Sequence, residues 1–188
     1  MKNFDSGLIC GRFQTPHIGH GSLFDMGISL CDRLYILVGS SQESGTERNP
    51  LNIGTRIRLL DEIYGDNPNV HFYGLQDLTD ENDITPDWGK FVLSNLDKYL
   101  HKTPDLMLYG NDEARSKWFS PEDIKDTYEF IIPRGRIAVS ATMVRHAMAT
   151  DNRKLWMSMV NPRLHKMYDE IRGELMEIEF YKNIYNNR

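Results

Sequence analysis

Short apolar runs alternate with longer segments of helical period along roughly the first 140 residues. Continuous apolar runs are typical of strands buried on both faces of a parallel sheet, and apolar residues at helical spacing indicate helices that cover it. The predicted strands are 7–10, 34–38, 70–73, 106–109 and 128–132. The predicted helices are 18–31, 53–64 and 87–100, with a short helical turn around 113–119. This alternation predicts an α/β fold, a Rossmann-like doubly wound parallel sheet of about five strands with helices on both faces.

The pattern changes after about residue 140, where the apolar residues follow a helical period and no further strand is indicated. Helices are predicted over 143–149, 154–160 and 163–185, and the last is long and charged on one face. We expect it to pack on the flank of the sheet, with contact to a partner as the alternative. Because neither an internal repeat nor a Gly/Ser- or Pro-rich linker interrupts the chain, 1–188 is predicted to be one domain with a helical C-terminal part.

Composition narrows the class of ligand. The chain has 188 residues, 40% of them hydrophobic, and a net charge of −5. A dedicated nucleic-acid or anionic-membrane surface normally requires a strongly basic face, so we expect a small ligand, no nucleic acid and no membrane. Neither an export signal nor a membrane-spanning run is indicated. Cys10 and Cys31 lie in apolar segments, which predicts buried thiols in a reducing compartment and a cytoplasmic location.

The first candidate site is the segment 11–20, where the first strand ends and the first helix begins. Ligands of open parallel sheets bind at this edge, where the free N–H groups of a helix N-terminus attract phosphate. His17 and His20 are three residues apart, so both imidazoles project from the same side of the first helical turn. Gly11 permits a sharp turn, Gly19 leaves room for close approach, and Arg12 can add a planar fork for phosphate oxygens.

The segment 11–20 also has alternative interpretations. It lacks the Gly-Lys-Ser/Thr of a Walker loop and the G-x-G-x-x-G dinucleotide fingerprint. A zinc site at His17 and His20 would need a third ligand at a fitting spacing, which the sequence does not offer nearby. Two helix-capping histidines without a function are the remaining alternative.

A second candidate site lies at the start of the helix near residue 140. Ser140 is a good N-cap, and Thr142 stands in the first turn, so hydroxyls, free N–H groups and the helix dipole point at one place. Arg145 follows three residues later on the same side. These residues predict an anion site, with a cap and a solvated arginine as the alternative.

The segment 11–20 resembles the phosphate-binding motif of the nucleotidyltransferase superfamily with the H-x-G-H signature, and its opening Gly-Arg-Phe-Gln resembles the archaeal-type nicotinamide mononucleotide adenylyltransferases. Further segments resemble that family in the same order: 39–42, 48–50 with the following Arg56, Trp88, and 139–145. The chain departs from the family pattern at Pro16, which comes one position late, at Ala141, and in a longer loop over 77–88.

The resemblance implies site residues in three groups. The catalytic group is His17, His20 and Arg145. The ATP-binding group is Gly11, Arg12, Phe13, Gly19, Arg48, Ser140 and Thr142. The acceptor-binding group is Trp88, expected to stack on nicotinamide, and Asp77, with Asp80 and Asp83 as substitutes. Asn111 is added to this group because it follows the end of a buried strand, and the alternative there is a simple turn. The alternative for Arg48 is a solvated charge, and the alternative for Trp88 is a residue of the core.

The implied reaction is adenylyl transfer from ATP to nicotinamide mononucleotide (NMN), which gives NAD and pyrophosphate. Attack of a phosphate on the α-phosphorus needs positioning and charge neutralisation but no covalent enzyme intermediate. Mg²⁺ is expected to arrive with ATP, so no metal-binding residue is named. The resemblance also suggests a homo-oligomer. The alternatives are a related nucleotidyltransferase with another phosphorylated acceptor, a class I aminoacyl-tRNA synthetase, and a non-catalytic nucleotide-sensing module.

Overall fold

A computed structural model describes residues 1–78, 85–110, 117–133 and 137–187. Its strands are β1 (Phe4–Gly11), β2 (Cys31–Val38), β3 (Val70–Gly74), β4 (Leu106–Gly110) and β5 (Tyr128–Ile132). They form one parallel sheet in the order β3-β2-β1-β4-β5. The predicted five-strand sheet is confirmed, with β1 and β2 each beginning three residues earlier than the apolar run indicated.

The strand order reverses between β1 and β4, because β2 and β3 lie on one side of β1 while β4 and β5 lie on the other. Gly11 pairs with Val38 at the carboxyl end of β1, and Gly7 pairs with Leu106 on the β4 side. Such a reversal opens a crevice at the carboxyl ends of the central strands, where ligands bind in sheets of this type. The segment 11–20 begins there.

Helices cover both faces of the sheet. They are α1 (Ile18–Leu30) and α2 (Ile53–Tyr64) on one face, and α3 (Pro86–Leu100) on the other. Side chains alternate between the faces along each strand. Ile9 therefore packs with Phe24 of α1, whereas its neighbour Leu8 packs with Val92 of α3. The prediction for α2 matches the structure, and the helical turn expected around 113–119 lies partly outside the described residues.

The C-terminal part is a separate layer of helices. These are α4 (Ala141–Ala149), α5 (Arg153–Met159), a 3₁₀ helix (Pro162–Met167), α6 (Tyr168–Met176) and α7 (Glu179–Asn186). Their core, built around Trp156 and Tyr168, also includes Leu59 of α2. The layer therefore packs on α2 rather than directly on the flank of the sheet.

The single helix predicted over 163–185 is wrong. The chain leaves helical geometry at Ile178, whose φ of −89° and ψ of 125° are extended, and α6 and α7 lie on either side of it. Ile178 packs against the C-terminal core, and Tyr181, one turn further on, is buried in it. The break thus changes the direction of the helix, and Tyr181 of α7 then faces the C-terminal core.

No helix among the described residues is long and apolar enough to cross a membrane. Cys31 is buried and Cys10 is half-buried, and the two form no disulfide. Burial raises the pKa of Cys31 to about 11, which keeps its thiol protonated at neutral pH.

Candidate active site

A cleft of about 330 Å³ opens at the carboxyl ends of β1, β4 and β5, between the N-termini of α1 and α4. This volume is in the range of small-molecule sites. It brings together predicted residues from both motifs, namely Gly11, Arg12, Phe13, His17, Gly19, His20, Arg48, Ser140 and Arg145. Among the described lining residues three are arginines and none is a carboxylate. The cleft is therefore suited to an anion.

His17 and His20 form the N-terminal cap of α1. The Nδ1 atom of His17 accepts a hydrogen bond from the Gly19 N–H at 3.1 Å, and the Nδ1 atom of His20 accepts one from the His17 N–H at 3.3 Å. The two rings stack with their centroids 3.8 Å apart and an interplanar angle of 27°. This reciprocal arrangement is a capping box in which imidazoles take the place of the usual hydroxyl and carboxylate.

The cap determines which nitrogen of each imidazole carries the proton. A backbone N–H can only donate, so each Nδ1 must be the accepting nitrogen, and the neutral ring then has its proton on Nε2. His17 and His20 both line the cleft. The Nδ1 atoms thus cap the helix, as the helix-capping alternative expects. Because these two cap hydrogen bonds place the proton on Nε2, each Nε2 is a hydrogen-bond donor.

The missing side chains of Gly11 and Gly19 and the ring of Phe13 determine the space that His17 and His20 occupy. A Cβ on Gly19 would lie 3.0 Å from Nδ1 and Cε1 of His17, and a Cβ on Gly11 would lie 2.9 Å from the ring of Phe13. Phe13 has a left-handed φ of 52° and is 3% exposed. Its ring meets His20 edge to face at 5.1 Å. Phe13 therefore supports His20 from the core side of the cleft.

The second motif is assembled as predicted around the start of α4. The Oγ atom of Ser140 accepts from the Met143 N–H at 3.3 Å and caps the helix. Arg145 donates from Nη2 to Oγ1 of Thr142 at 3.3 Å and from Nη1 to the carbonyl oxygen of Gln14. Thr142 is not among the residues that line the cleft, so its hydroxyl reaches the site through Arg145.

Arg56 is a functional candidate beneath the site that sequence reasoning noted only as part of the resemblance. Its side chain is completely buried and donates to three carbonyl oxygens, those of Arg12 at 2.9 Å, Gly39 at 2.7 Å and Ser40 at 2.9 Å. Burial, and then the positive charge of Arg12, lower the pKa of Arg56 to about 10, so the guanidinium stays charged at neutral pH. It ties the ends of β1 and β2 together and adds positive potential below the cleft.

Gln14 and Tyr181 were missed altogether. The side chain of Gln14 is buried and exchanges two hydrogen bonds with the backbone of Leu51, through Nε2 at 3.0 Å and Oε1 at 2.9 Å. It thereby joins the first motif to the start of α2. Its place inside the motif was an available signal, whereas nothing in the sequence around Tyr181 indicates its contact with Arg145.

Part of the cleft lining is apolar. This part includes Ile132, Pro133, Ile137 and Val139, and Cys10 and Gly110 also line the cleft. A ligand with a flat apolar part and a polyanionic part would match a lining that has both apolar and basic residues.

Two of the predicted acceptor residues, Trp88 and Asp77, lie outside the cleft. Trp88 is 8% exposed and packs in the core between α3 and the sheet, where it meets Trp118 edge to face at 5.8 Å. Asp77 accepts from Ser40 at 3.3 Å and from Gln42 at 2.9 Å. Neither residue lines the cleft, and in this conformation the core alternative describes Trp88. The predicted Asn111, and the substitutes Asp80 and Asp83, fall outside the described residues.

The described part of the chain offers no group of three His, Cys, Asp or Glu side chains that could hold a metal ion.

Comparison with known proteins places this geometry in a family. A model of the cytidylyltransferase-like family matches residues 8–154, which is most of the chain. The nicotinamide-nucleotide adenylyltransferase of Caldivirga maquilingensis is 41% identical over 179 residues, 89% of each chain. The enzyme of that name from Saccharolobus solfataricus is 46% identical over 54 residues, which are 29% of this chain and 31% of that one.

A solved structure has a similar fold. It is the bifunctional NMN adenylyltransferase/ADP ribose pyrophosphatase of Francisella tularensis, complexed with AMP and a manganese ion. The TM-score is 0.71 at 16% identity, and the match covers 98% of this chain. This chain spans about half of that longer protein, 53%. Together with the family match, these similarities show that the chain belongs to the cytidylyltransferase-like family of nucleotidyltransferases, alongside the archaeal nicotinamide-nucleotide adenylyltransferases.

Proposed function

We propose that this chain transfers the adenylyl group of ATP to NMN and releases pyrophosphate. The observation that carries the proposal is the stacked pair His17 and His20, which presents two Nε2 donors at a helix N-terminus in a cleft with three arginines and no described carboxylate. The choice of ATP and NMN follows the names of the relatives.

The proposed chemistry is a single in-line displacement at the α-phosphorus of ATP. A phosphate oxygen of NMN forms the new bond to phosphorus, and the bond from phosphorus to the bridging oxygen of pyrophosphate breaks, with the electron pair leaving on that oxygen. The nucleophile is already an anion, so no general base or covalent intermediate is required. The two Nε2–H groups donate to the oxygens on which negative charge grows, as donors in an oxyanion hole do.

The remaining basic groups hold the leaving portion. Arg145 would contact the β- and γ-phosphates together with the N-terminus of α4, where Ser140 and Thr142 lie. Arg12, in the segment 11–20, and Arg48, in the loop before α2, would also contact the triphosphate. Mg²⁺ enters as part of the substrate, bound through phosphates and water. The adenine would lie against the apolar lining residues of the cleft, such as Ile132 and Val139.

The resemblance assigns acceptor binding to Trp88 and Asp77, and Asn111 is added by its place at the end of a buried strand. A stacking role for Trp88 requires its indole to leave the core, since only 8% of it is exposed. We therefore treat Trp88 as the residue whose role is tested separately below.

The remaining features of the proposal are a single domain, a homo-oligomer, no nucleic-acid or membrane partner, and a cytoplasmic location. The burial of Cys31 and the half-burial of Cys10, without a disulfide between them, support a reducing compartment. Gel filtration with light scattering tests the oligomer, and fractionation of the host cell tests the location.

The experiment that tests the function is pyrophosphate release measured against a panel of acceptors. The chain is incubated with ATP and magnesium and with one of NMN, nicotinic acid mononucleotide, phosphopantetheine or glycerol 3-phosphate. The proposal expects release with NMN. Release only with a different phosphorylated acceptor would favour the related nucleotidyltransferase. ATP binding without release in any reaction would favour a nucleotide-sensing module.

A further inference from the structure

The hydroxyl of Tyr181, on the C-terminal helix α7, lies between two parts of the active site. It accepts a hydrogen bond from Nε of Arg145 at 2.8 Å and donates one to the carbonyl oxygen of Glu47 at 2.6 Å. The side chain of Tyr181 is 3% exposed and packs in the C-terminal core. A hydroxyl can accept from a guanidinium and donate to a carbonyl at once, and the phenylalanine ring that otherwise resembles it can do neither.

The first consequence concerns Arg145. Among the described contacts its guanidinium donates from Nε to Tyr181, from Nη1 to the Gln14 carbonyl and from Nη2 to Thr142. A guanidinium has five N–H groups, so these bonds fix its plane and leave one N–H on each terminal nitrogen for an anion in the cleft.

The second consequence concerns the loop that carries Arg48. Glu47 precedes Arg48 directly, and Arg48 lines the cleft although its own side chain is largely exposed. The bond from Tyr181 to the Glu47 carbonyl therefore holds the backbone of this loop at the residue next to the arginine. One hydroxyl thus connects Arg145 of the second motif with the backbone beside Arg48.

We propose that Tyr181 is a positioning residue that couples Arg145 to the loop carrying Arg48, so that both arginines meet the β- and γ-phosphates of ATP in one fixed geometry. The inference rests on the proposed function and deepens it. Burial raises the pKa of Tyr181, although Arg145 opposes this rise, so the hydroxyl keeps the proton that it donates to Glu47. The break in the helix at Ile178 is the local feature that turns this side chain inward.

The test compares Tyr181→Phe with Tyr168→Phe. Tyr168 is 1% exposed in the same core, and its hydroxyl donates to Asp151 at 3.0 Å. Neither tyrosine lines the cleft, but the hydroxyl of Tyr181 bonds to Arg145, which does. Both changes remove one buried hydroxyl and keep the ring, so both proteins are expected to fold and to lose similar stability. Any difference in nucleotide binding between them then reflects the position of the hydroxyl.

Calorimetry with ATP and with AMP, each with magnesium and without acceptor, gives the decisive readout. We expect Tyr181→Phe to bind ATP about tenfold more weakly, because a misplaced positioning group costs up to about 100-fold, and to bind AMP within about twofold of the unaltered protein. Tyr168→Phe should bind both within about twofold. Hydrogen exchange over 41–51 should be faster in Tyr181→Phe than in the control.

Two results would overturn the inference. One is ATP affinity and loop exchange in Tyr181→Phe equal to those of Tyr168→Phe. The other is equal weakening for ATP and AMP, which would point to a general loss of structure. The failure of the proposed function is a separate result: if the unaltered chain binds ATP but never releases pyrophosphate with NMN, the reaction is wrong, and the ratio of ATP affinities still decides the role of Tyr181.

Discussion

Arg145 of α4 donates a hydrogen bond to the carbonyl oxygen of Gln14, in the loop between β1 and α1. Two motifs at opposite ends of the sequence therefore share one contact at the edge of the sheet. Because α4 also packs in the C-terminal core, the helical layer and the sheet position this arginine together. The cleft is the product of both parts.

The histidine pair leads to the first prediction. His17→Ala and His20→Ala should each reduce turnover by about 100-fold to 1000-fold, as the loss of one donor to transition-state charge does. The matched variant is His17→Asn, which keeps a cap acceptor for the Gly19 N–H but lacks Nε2 at the same reach. It should retain most of the stability, since cap loss costs about 1 kcal/mol, and still lose turnover. Near-normal turnover with lowered stability would return both histidines to a purely capping role.

Arg145→Lys should impair the protein although the charge is kept. A lysine cannot replace a guanidinium that donates to Gln14, Thr142 and Tyr181 and still present two N–H groups to the cleft. ATP binding should weaken by about tenfold, roughly 1.4 kcal/mol, while AMP binding changes little because AMP lacks the β- and γ-phosphates. Arg163→Lys, at a surface ion pair with Asp66, serves as the control. Equal weakening for ATP and AMP would contradict the assignment.

Arg56 provides a test of the support beneath the site. Arg56→Met leaves three carbonyl oxygens without their charged donor, and each such bond contributes about 1.5–3 kcal/mol. Denaturant unfolding should show a loss of at least that size, together with weaker ATP binding. Arg58→Met, on the same helix but in an exposed pair with Glu170, should change stability by no more than about 1 kcal/mol. Similar losses of stability for Arg56→Met and Arg58→Met would mean that the buried hydrogen bonds of Arg56 do not stabilise the fold.

Substitutions of Trp88 test whether its indole belongs to the core or to the acceptor site. Trp88→Ala should cost about 3–5 kcal/mol of stability because the indole is packed between α3 and the sheet. Trp88→Leu keeps an apolar side chain in the core but has no ring to stack, and it should leave NMN affinity within about twofold. Stacking on nicotinamide would give the opposite pattern, with stability nearly unchanged and NMN binding weakened about fivefold to 150-fold. Thermal unfolding and NMN titration of the two variants decide between them.

Sequence reasoning was accurate where the signal was local. The apolar runs of the strands, the period of α2 and the cap at Ser140 depend on neighbouring residues, and the structure has them where they were expected. The position of His17 and His20 at a strand end beside a helix N-terminus was likewise enough to predict that they face a common cleft.

The parts that escaped prediction depend on contacts between distant residues. The helical period continues through Ile178, so the break there follows from packing in the C-terminal core and not from a local signal. The contact of Tyr181 with Arg145 is a consequence of that break. Trp88 at the start of α3 suits both a core and a stacking role by its residue type, and only its 8% exposure separates the two.

The proposed displacement also predicts a stereochemical outcome. One in-line attack inverts the configuration at the α-phosphorus, whereas a covalent enzyme intermediate would require two displacements and give retention. ATP carrying a chiral α-thiophosphate should therefore yield the NAD analogue with inverted configuration. Retention would mean that a side chain of this protein attacks phosphorus first.

The most direct test of the central claim follows the adenylyl group itself. The unaltered chain is incubated with ATP labelled at the α-phosphorus, magnesium and NMN, and both products are quantified. We predict labelled NAD and pyrophosphate in a ratio of about one to one, dependent on NMN, with turnover about 100-fold or more lower in His17→Asn. Labelled ATP that is bound but never transferred, or transfer that is unaffected in His17→Asn, would contradict the account.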